Sequence, residues 1–331
     1  MLLEKIHYKD KSRIILIVLF FLFTQECFRA QDIVVSRGVV LMGSQFNITV
    51  VDKDSISAHQ NITEVINEID RIENLISEWR PHTQISQVNQ NAGIKPVKVD
   101  SEVFDLTKRA IQYSRLSDGA FDVSIVAMDK IWKFDDSMQS LPSDEELQIS
   151  IRNVGFNNIV LDSIQSTIFL SKKGMKIGFG SIGKGYAADR GRTVLMNKKI
   201  KGGIIDASGD IATWGTPVQE EFWKIGVKNP FKRNKLVSVL KLNNSAVATS
   251  GSYEKYAEIN GNRYSHIINP KTGMPATGLT SVSVIGSSTE FANFLSTSIM
   301  VLGYKKGKLL MRKFPEYRSI VITDKGRIKK M

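Results

Sequence analysis

The stretch "GGIIDASGDIATWG", residues 202–215, decides the fold class. Its apolar run breaks at the small polar Ser208-Gly209 and resumes at Ile211, so it reads as strand, tight turn, strand. Short strands of the same kind are expected near 157–162, 166–171, 175–179, 222–228, 236–242, 262–268, 279–286 and 318–323. "VVLMGSQFNITVVD" (39–52) reads as a strand pair, or as one long strand interrupted at Gly43. Helices fall between these strands. Ile62, Val65, Ile66, Ile69, Ile72 and Ile76 repeat at helical spacing within 62–79. Others are expected at 102–117, after the Ser143/Glu146 capping box, and at 184–197, 288–302 and 304–313. Strands and helices alternate without a strict βαβ rhythm, which predicts an α+β fold with mixed, largely antiparallel sheets and flanking helices. No internal repeat or low-complexity linker divides residues 31–331, so they read as one compact unit.

The first thirty residues read differently. Lys5, Lys9, Lys11 and Arg13 precede ten uncharged apolar residues, Ile14 to Phe23, too few to span a bilayer but fitting a signal peptide. Cleavage is expected after Ala30, with lipid attachment at Cys27 as the alternative. The protein is therefore expected to be exported and periplasmic, with membrane anchoring left open. Cys27 is the sole cysteine, so cleavage leaves no thiol, and any metal must be held by oxygen or imidazole.

The chain of 331 residues carries a formal charge of +12, of which the leader supplies only +2. A basic balance favours phosphates, nucleic acid or anionic membrane as partners. No nucleic-acid motif accompanies it, so nucleic acid is not expected. The dense basic tail from Tyr304 onward reads as a solvated surface, with lipid binding as the rival reading.

Four glycine-rich or polar turns follow strands: 42–44, 178–190, 206–215 and 248–253. In "GFGSIGKGYAADR" (178–190), Gly178, Gly180, Gly183 and Gly185 allow close backbone approach, and Lys184 sits where a helix begins. The order is not that of a P-loop, and packing alone could also explain it. Asn293 and Thr297 share one helix face and can either hold a hard cation or bond locally to backbone. Asp122 in "SDGAFDVSI" is either a cap or a functional group. Of four histidines, His82 reads as a loop residue and His59 as a helix-surface one. His266, inside the 262–268 strand and four residues before Pro270, is either a core histidine or a proton handler.

Eight motifs in order make the chain resemble the ApbE-type FAD:protein FMN transferases. They are "MGS", "SEWRPHTQISQVN", "GAFDVSI", "GKGYAADR", "ASGDI", "ATSGSYEKY", "HIINPKTGMP" and "EFANFLSTSIMVLG". The resemblance implies an α+β fold with FAD in a central cleft. With Mg²⁺, FMN would pass from FAD to a threonine hydroxyl of an exported redox partner, releasing AMP. It implies His266 as catalytic base and Gly183, Asn293 and Thr297 as metal contacts. The flavin cleft would be lined by Met42, Gly43, Ser44, Trp79, Asp122, Lys184, Gly185, Asp210, Thr249, Ser250, Gly251 and His266. The chain departs from the family pattern where Asn293, Gly178 and Asn269 stand in place of aspartates, and in Ser208 for glycine. Losing the carboxylate at 293 should weaken Mg²⁺ binding. Two alternatives remain open: an FAD pyrophosphatase yielding FMN and AMP, and a non-catalytic FAD-binding protein.

Overall fold

A computed structural model describes residues 32–331 apart from 136, 233 and 254. The expected leader, its cleavage point and Cys27 lie outside the described residues. Strands β1 (Ile33–Leu41) and β2 (Ser44–Asp52) form an antiparallel hairpin. Its two turn residues, Met42 and Gly43, have φ of 50° and 66°, the left-handed pair whose twist suits a two-residue hairpin. Helix α1 (Ser55–Ile76) starts before the expected Ile62 because Asp54 caps it, its Oδ1 accepting from the Ser57 amide at 2.8 Å.

Helix α2 (Gln84–Gln90) and strand β3 (Val97–Lys98) lead into α3 (Ser101–Leu116). Helix α4 (Asp144–Ser150) opens with the expected Ser143/Glu146 capping box. A three-stranded sheet is completed by β4 (Ile159–Asp162) and β5 (Thr167–Leu170). Residues 175–179 are not a strand. The Asn89 side chain takes the place of a partner strand there: its Oδ1 accepts from the Ile177 amide and its Nδ2 donates to the Ile177 carbonyl, at 2.8 and 2.9 Å.

After α5 (Gly183–Asn197) comes the 202–215 stretch, folded as β6 (Gly202–Ala207) and β7 (Asp210–Trp214) around Ser208-Gly209. A separate hairpin, β8 (Trp223–Lys228) and β9 (Leu236–Leu242), precedes β10 (Ala246–Gly251). The 248–253 turn thus lies mostly within β10. Strands β11 (Tyr256–Ile259) and β12 (Asn262–Ser265) pair with each other. Because β12 stops at Ser265, His266 lies just beyond the strand rather than inside it. Strand β13 (Leu279–Gly286) leads to α6 (Thr289–Met311), which the non-helical Gly303 (φ 72°, ψ 173°) divides into two helical segments, as expected. Its cap is Ser288, whose Oγ accepts from the Phe291 amide at 3.2 Å. Strands β14 (Arg318–Thr323) and β15 (Ile328–Lys330) close the chain.

Eight strands form the main sheet in the order β1-β2-β6-β7-β10-β13-β14-β15, every adjoining pair antiparallel. Alternate residues face opposite ways, so Phe46, Ile48 and Val50 pack beneath α1, α5 and α6. Val51, Ile211, Val247 and Ile285 pack instead against Trp223, Val227, Leu240 and Leu242 of the β8–β9 hairpin. The sheet is therefore covered on both faces. Among the described residues, no helix is long and apolar enough to cross a membrane.

Candidate active site

Register carries several turns to one end of the main sheet. Phe46 pairs with Ala207, so Met42-Gly43 and Ser208-Gly209 lie at the same end. Val247 pairs with Ile211, so Thr249, Ser250 and Gly251 run past Asp210 towards that end. The start of α5 brings Gly180, Ser181 and Lys184, and α6 brings Asn293 and Thr297. Apart from Met42, Gly43, Gly209 and the register pairs, these residues line one chamber together with Asp122 and His266. A second, more polar chamber shares Lys184, Ser208, Thr249 and His266 with it and adds Ser44.

Asp210 and Asn293 are both buried, and Asn293 Nδ2 donates to Asp210 Oδ2 at 2.6 Å. Asn293 Oδ1 accepts from Thr297 Oγ1 at 3.5 Å. Ser250 Oγ lies 2.8 Å from Ser296 Oγ and 3.2 Å from Thr297 Oγ1. Helix α6 is held at its start by Asp189 of α5, whose carboxylate accepts from Ser288 Oγ, Thr289 Oγ1 and the Glu290 amide. Glu290, four residues before Phe294, turns away from the cap to accept from Arg109 Nε, Arg109 Nη2 and the Tyr113 hydroxyl.

Asp122 bonds to its own loop and stands at the wall of the chamber. Its Oδ1 accepts from the Ser124 amide and hydroxyl, its Oδ2 from the Phe156 amide, and the residue also lines the chamber. Burial pushes its carboxyl above the ordinary range, and the three hydrogen bonds pull it back part of the way. His266 is exposed and its Nδ1 lies 3.1 Å from the Lys255 carbonyl oxygen. A carbonyl only accepts, so Nδ1 carries the hydrogen and the basic lone pair of the neutral ring is on Nε2. Phe134 meets the same ring edge-on at 6.4 Å.

Five expected site residues line neither chamber. Trp79 is 76% exposed, because α1 ends before it and the following turn carries it out beneath Lys130 Nζ, 5.4 Å from the ring. Met42 and Gly43 form the β1–β2 turn, and the Met42 amide is spent on Glu73 Oε2 at 2.9 Å. Gly183 is buried at the first position of α5. Gly185 is a packing residue: a Cβ there would stand 2.9 Å from the Thr289 carbonyl oxygen, so its smallness lets α5 and α6 touch. Gly178 is explained the same way by Glu78, whose carboxyl would lie 2.9 Å from such a Cβ.

Several lining residues were missed. Ser181 and Ser208 lay inside quoted turns and could have been read from them, as Gly180 was. Ile125, Ile267 and Ile268 line the first chamber and Lys255 the second, each inside a quoted motif without being singled out; Lys228 also lines the second, with nothing local in the sequence to mark it.

Comparison with known proteins bears on this arrangement. The ApbE family pattern matches residues 42–321. The chain belongs to the ApbE family. A relative from Klebsiella pneumoniae (strain 342), named FAD:protein FMN transferase, is 32% identical over 292 residues, covering 88% of this chain and 89% of the relative. One of the same name from Treponema pallidum (strain Nichols) is 29% identical over 310 residues, covering 89% and 86%. The crystal structure of the ApbE protein of Thermotoga maritima superposes with a TM-score of 0.81 at 29% identity, covering 90% of this chain and 97% of that one. All eight ApbE motifs fall within the matched span.

For an ApbE chain the donor set matters as much as the fold. Among the described residues, no group of three or more His, Cys, Asp or Glu could hold a metal. A cation at this end of the sheet would rely on the Asp210 carboxylate, the Asn293 amide oxygen and the Thr297 and Ser250 hydroxyls. Those oxygens fit Mg²⁺, which commonly takes one or two protein carboxylates and completes its shell with water and substrate phosphate.

Proposed function

We propose that this chain transfers the FMN half of FAD to a hydroxyl of a protein acceptor, with AMP leaving. The observation that carries the reading is the His266–Lys255 hydrogen bond, which leaves the imidazole's basic nitrogen, Nε2, on a ring that lines both chambers. In the transfer, a new bond forms between the acceptor oxygen and the FMN phosphorus. The bond from that phosphorus to the AMP oxygen breaks, AMP keeps the electron pair, and the hydroxyl proton passes to His266 Nε2. Lys184 and the amide groups at the start of α5 offset charge on the phosphates. Asp210, Asn293 and Thr297, with the Ser250 hydroxyl, would hold Mg²⁺. When bound, that ion would neutralise developing charge on the pyrophosphate.

The acceptor residue is proposed to be threonine on an exported redox protein, and the site of action to be periplasmic. Support comes from the basic, apolar leader at residues 1–30 and from the absence of cysteine after it. Membrane association, through Cys27 or the basic tail, is proposed only as peripheral to catalysis.

The test is to incubate the protein with FAD, Mg²⁺ and a threonine-bearing candidate acceptor while measuring AMP and acceptor mass together. AMP with an FMN-sized mass gain supports transfer. AMP without it supports the second reading, FAD hydrolysis, which the exposure of His266 to water favours. Bound FAD with neither product would refute both in favour of a flavin-binding protein. Replacing His266 with alanine should lower AMP release by about 10²–10⁴-fold at unchanged thermal stability.

A further inference from the structure

We propose that the negative charge of the cation site comes from the β6–β7 turn, through Asp210, and that Asn293 positions that carboxylate while contributing only a neutral oxygen of its own. The inference rests on the functional reading above and deepens its metal site. Two carboxylates line the first chamber, Asp122 and Asp210. Both oxygens of Asp122 are committed to its own loop: Ser124 occupies Oδ1 and the Phe156 amide occupies Oδ2. Asp206, nearby in the second chamber, accepts from the Gly209 amide at 2.7 Å and so shapes the turn on which Asp210 sits.

Asp210 faces α6 directly. Its Oδ2 receives Asn293 Nδ2 at 2.6 Å, while the other end of that amide receives Thr297 Oγ1. The amide is thus a strut, donating to the charge at one end and accepting at the other. It is held in register because Asp189 fixes the first turn of α6. An aspartate at 293 would put two carboxylates 2.6 Å apart in a buried site, an arrangement that needs a cation or a proton between them. With asparagine the pair is satisfied before any cation arrives, so the site keeps its shape at a net charge one unit less negative.

The experiment is a Mn²⁺ titration of the full chain without FAD, followed by loss of the free-ion EPR signal. It is run on the parent protein, Asp210→Asn, Asn293→Asp and the double variant, with melting temperatures taken with and without Mg²⁺. Asp210→Asn should bind Mn²⁺ about tenfold or more weakly. Asn293→Asp should bind about tenfold more tightly, melt lower without metal, and gain more from Mg²⁺ than the parent does. The double variant, with its one carboxylate moved to α6, should return to within about threefold of the parent.

Parent-like Mn²⁺ affinity in folded Asp210→Asn would overturn the proposal, as would an Asn293→Asp variant that binds no more tightly. A parent protein that holds no Mn²⁺ below about millimolar would overturn it too. If Asp210→Asn does not fold, the Asn293→Asp arm decides alone. Failure of the transfer reading shows separately, as absence of AMP and of acceptor mass gain in the parent protein.

Discussion

Helices α1 and α6 pack on the same face of the same sheet, yet they bury opposite kinds of residue. Helix α1 turns Ile62, Val65, Ile69, Ile72 and Ile76 inward, and its buried Asn61 is matched by Asp52 Oδ2 at 2.7 Å. Helix α6 buries Thr289, Glu290, Asn293, Ser296 and Ser298 among Phe294, Leu295 and Ile299. Each buried polar group needs a partner or it costs stability. On α6 those partners come from far along the chain: Arg109 and Tyr113 for Glu290, Asp210 for Asn293, Ser250 for Ser296. One helix supplies cohesion, and the other spends cohesion to hold polar atoms at the chamber.

That division can be broken by substitution. Ile69→Ala, in the fully buried stripe of α1, should cost about 2–5 kcal/mol in denaturant unfolding and leave FAD affinity of the folded protein unchanged. A changed FAD affinity would mean that α1 shares in the site. Gly185→Ala should cost about 1–3 kcal/mol, since the new methyl meets Thr289 backbone that cannot step aside. Unlike the α1 variant, it should also slow AMP release, because it pushes Lys184 and Asn293 apart. Ser296→Ala, which removes a hydroxyl shared with Ser250 and the Asn293 carbonyl, should cost only about 1 kcal/mol. A loss as large as that of Ile69→Ala would erase the contrast between the helices.

The smallest expected effect sharpens the comparison where α1 ends. Glu78 is half-buried, and burial raises its carboxyl above the ordinary range, offset in part by a hydrogen bond from its own backbone amide. The folded state therefore favours the protonated form. Its contribution to stability is present in acid and is lost as pH rises through the raised value. Glu78→Gln should be more stable than the parent at neutral pH and equal to it in acid, measured as paired melting curves across pH. A gain that persists unchanged into acid would refute that account.

The isoleucine stripe of α1, the Ser143 capping box and the β6–β7 turn were legible because each depends on residues within a few positions of one another. The 175–179 segment was misread because Asn89, far along the chain, takes the role of a partner strand. Trp79 was misplaced because nothing local says where a helix stops relative to a cleft. The glycines at 178 and 185 were open to either ligand approach or packing from sequence, and three-dimensional proximity to Glu78 and Thr289 gives both a packing reason. His266 was singled out by its neighbourhood to Pro270, but its tautomer depends on a carbonyl eleven residues away.

By itself the sequence determined most element types, the largely antiparallel character of the sheet and the residue kinds offered to the cleft, since periodicity, capping and turn chemistry act over short range. Only the tertiary structure decided which of them meet. Asp210 and Asn293 are 83 positions apart, and their hydrogen bond exists because sheet order and the α5–α6 contact bring one turn and one helix to the same point.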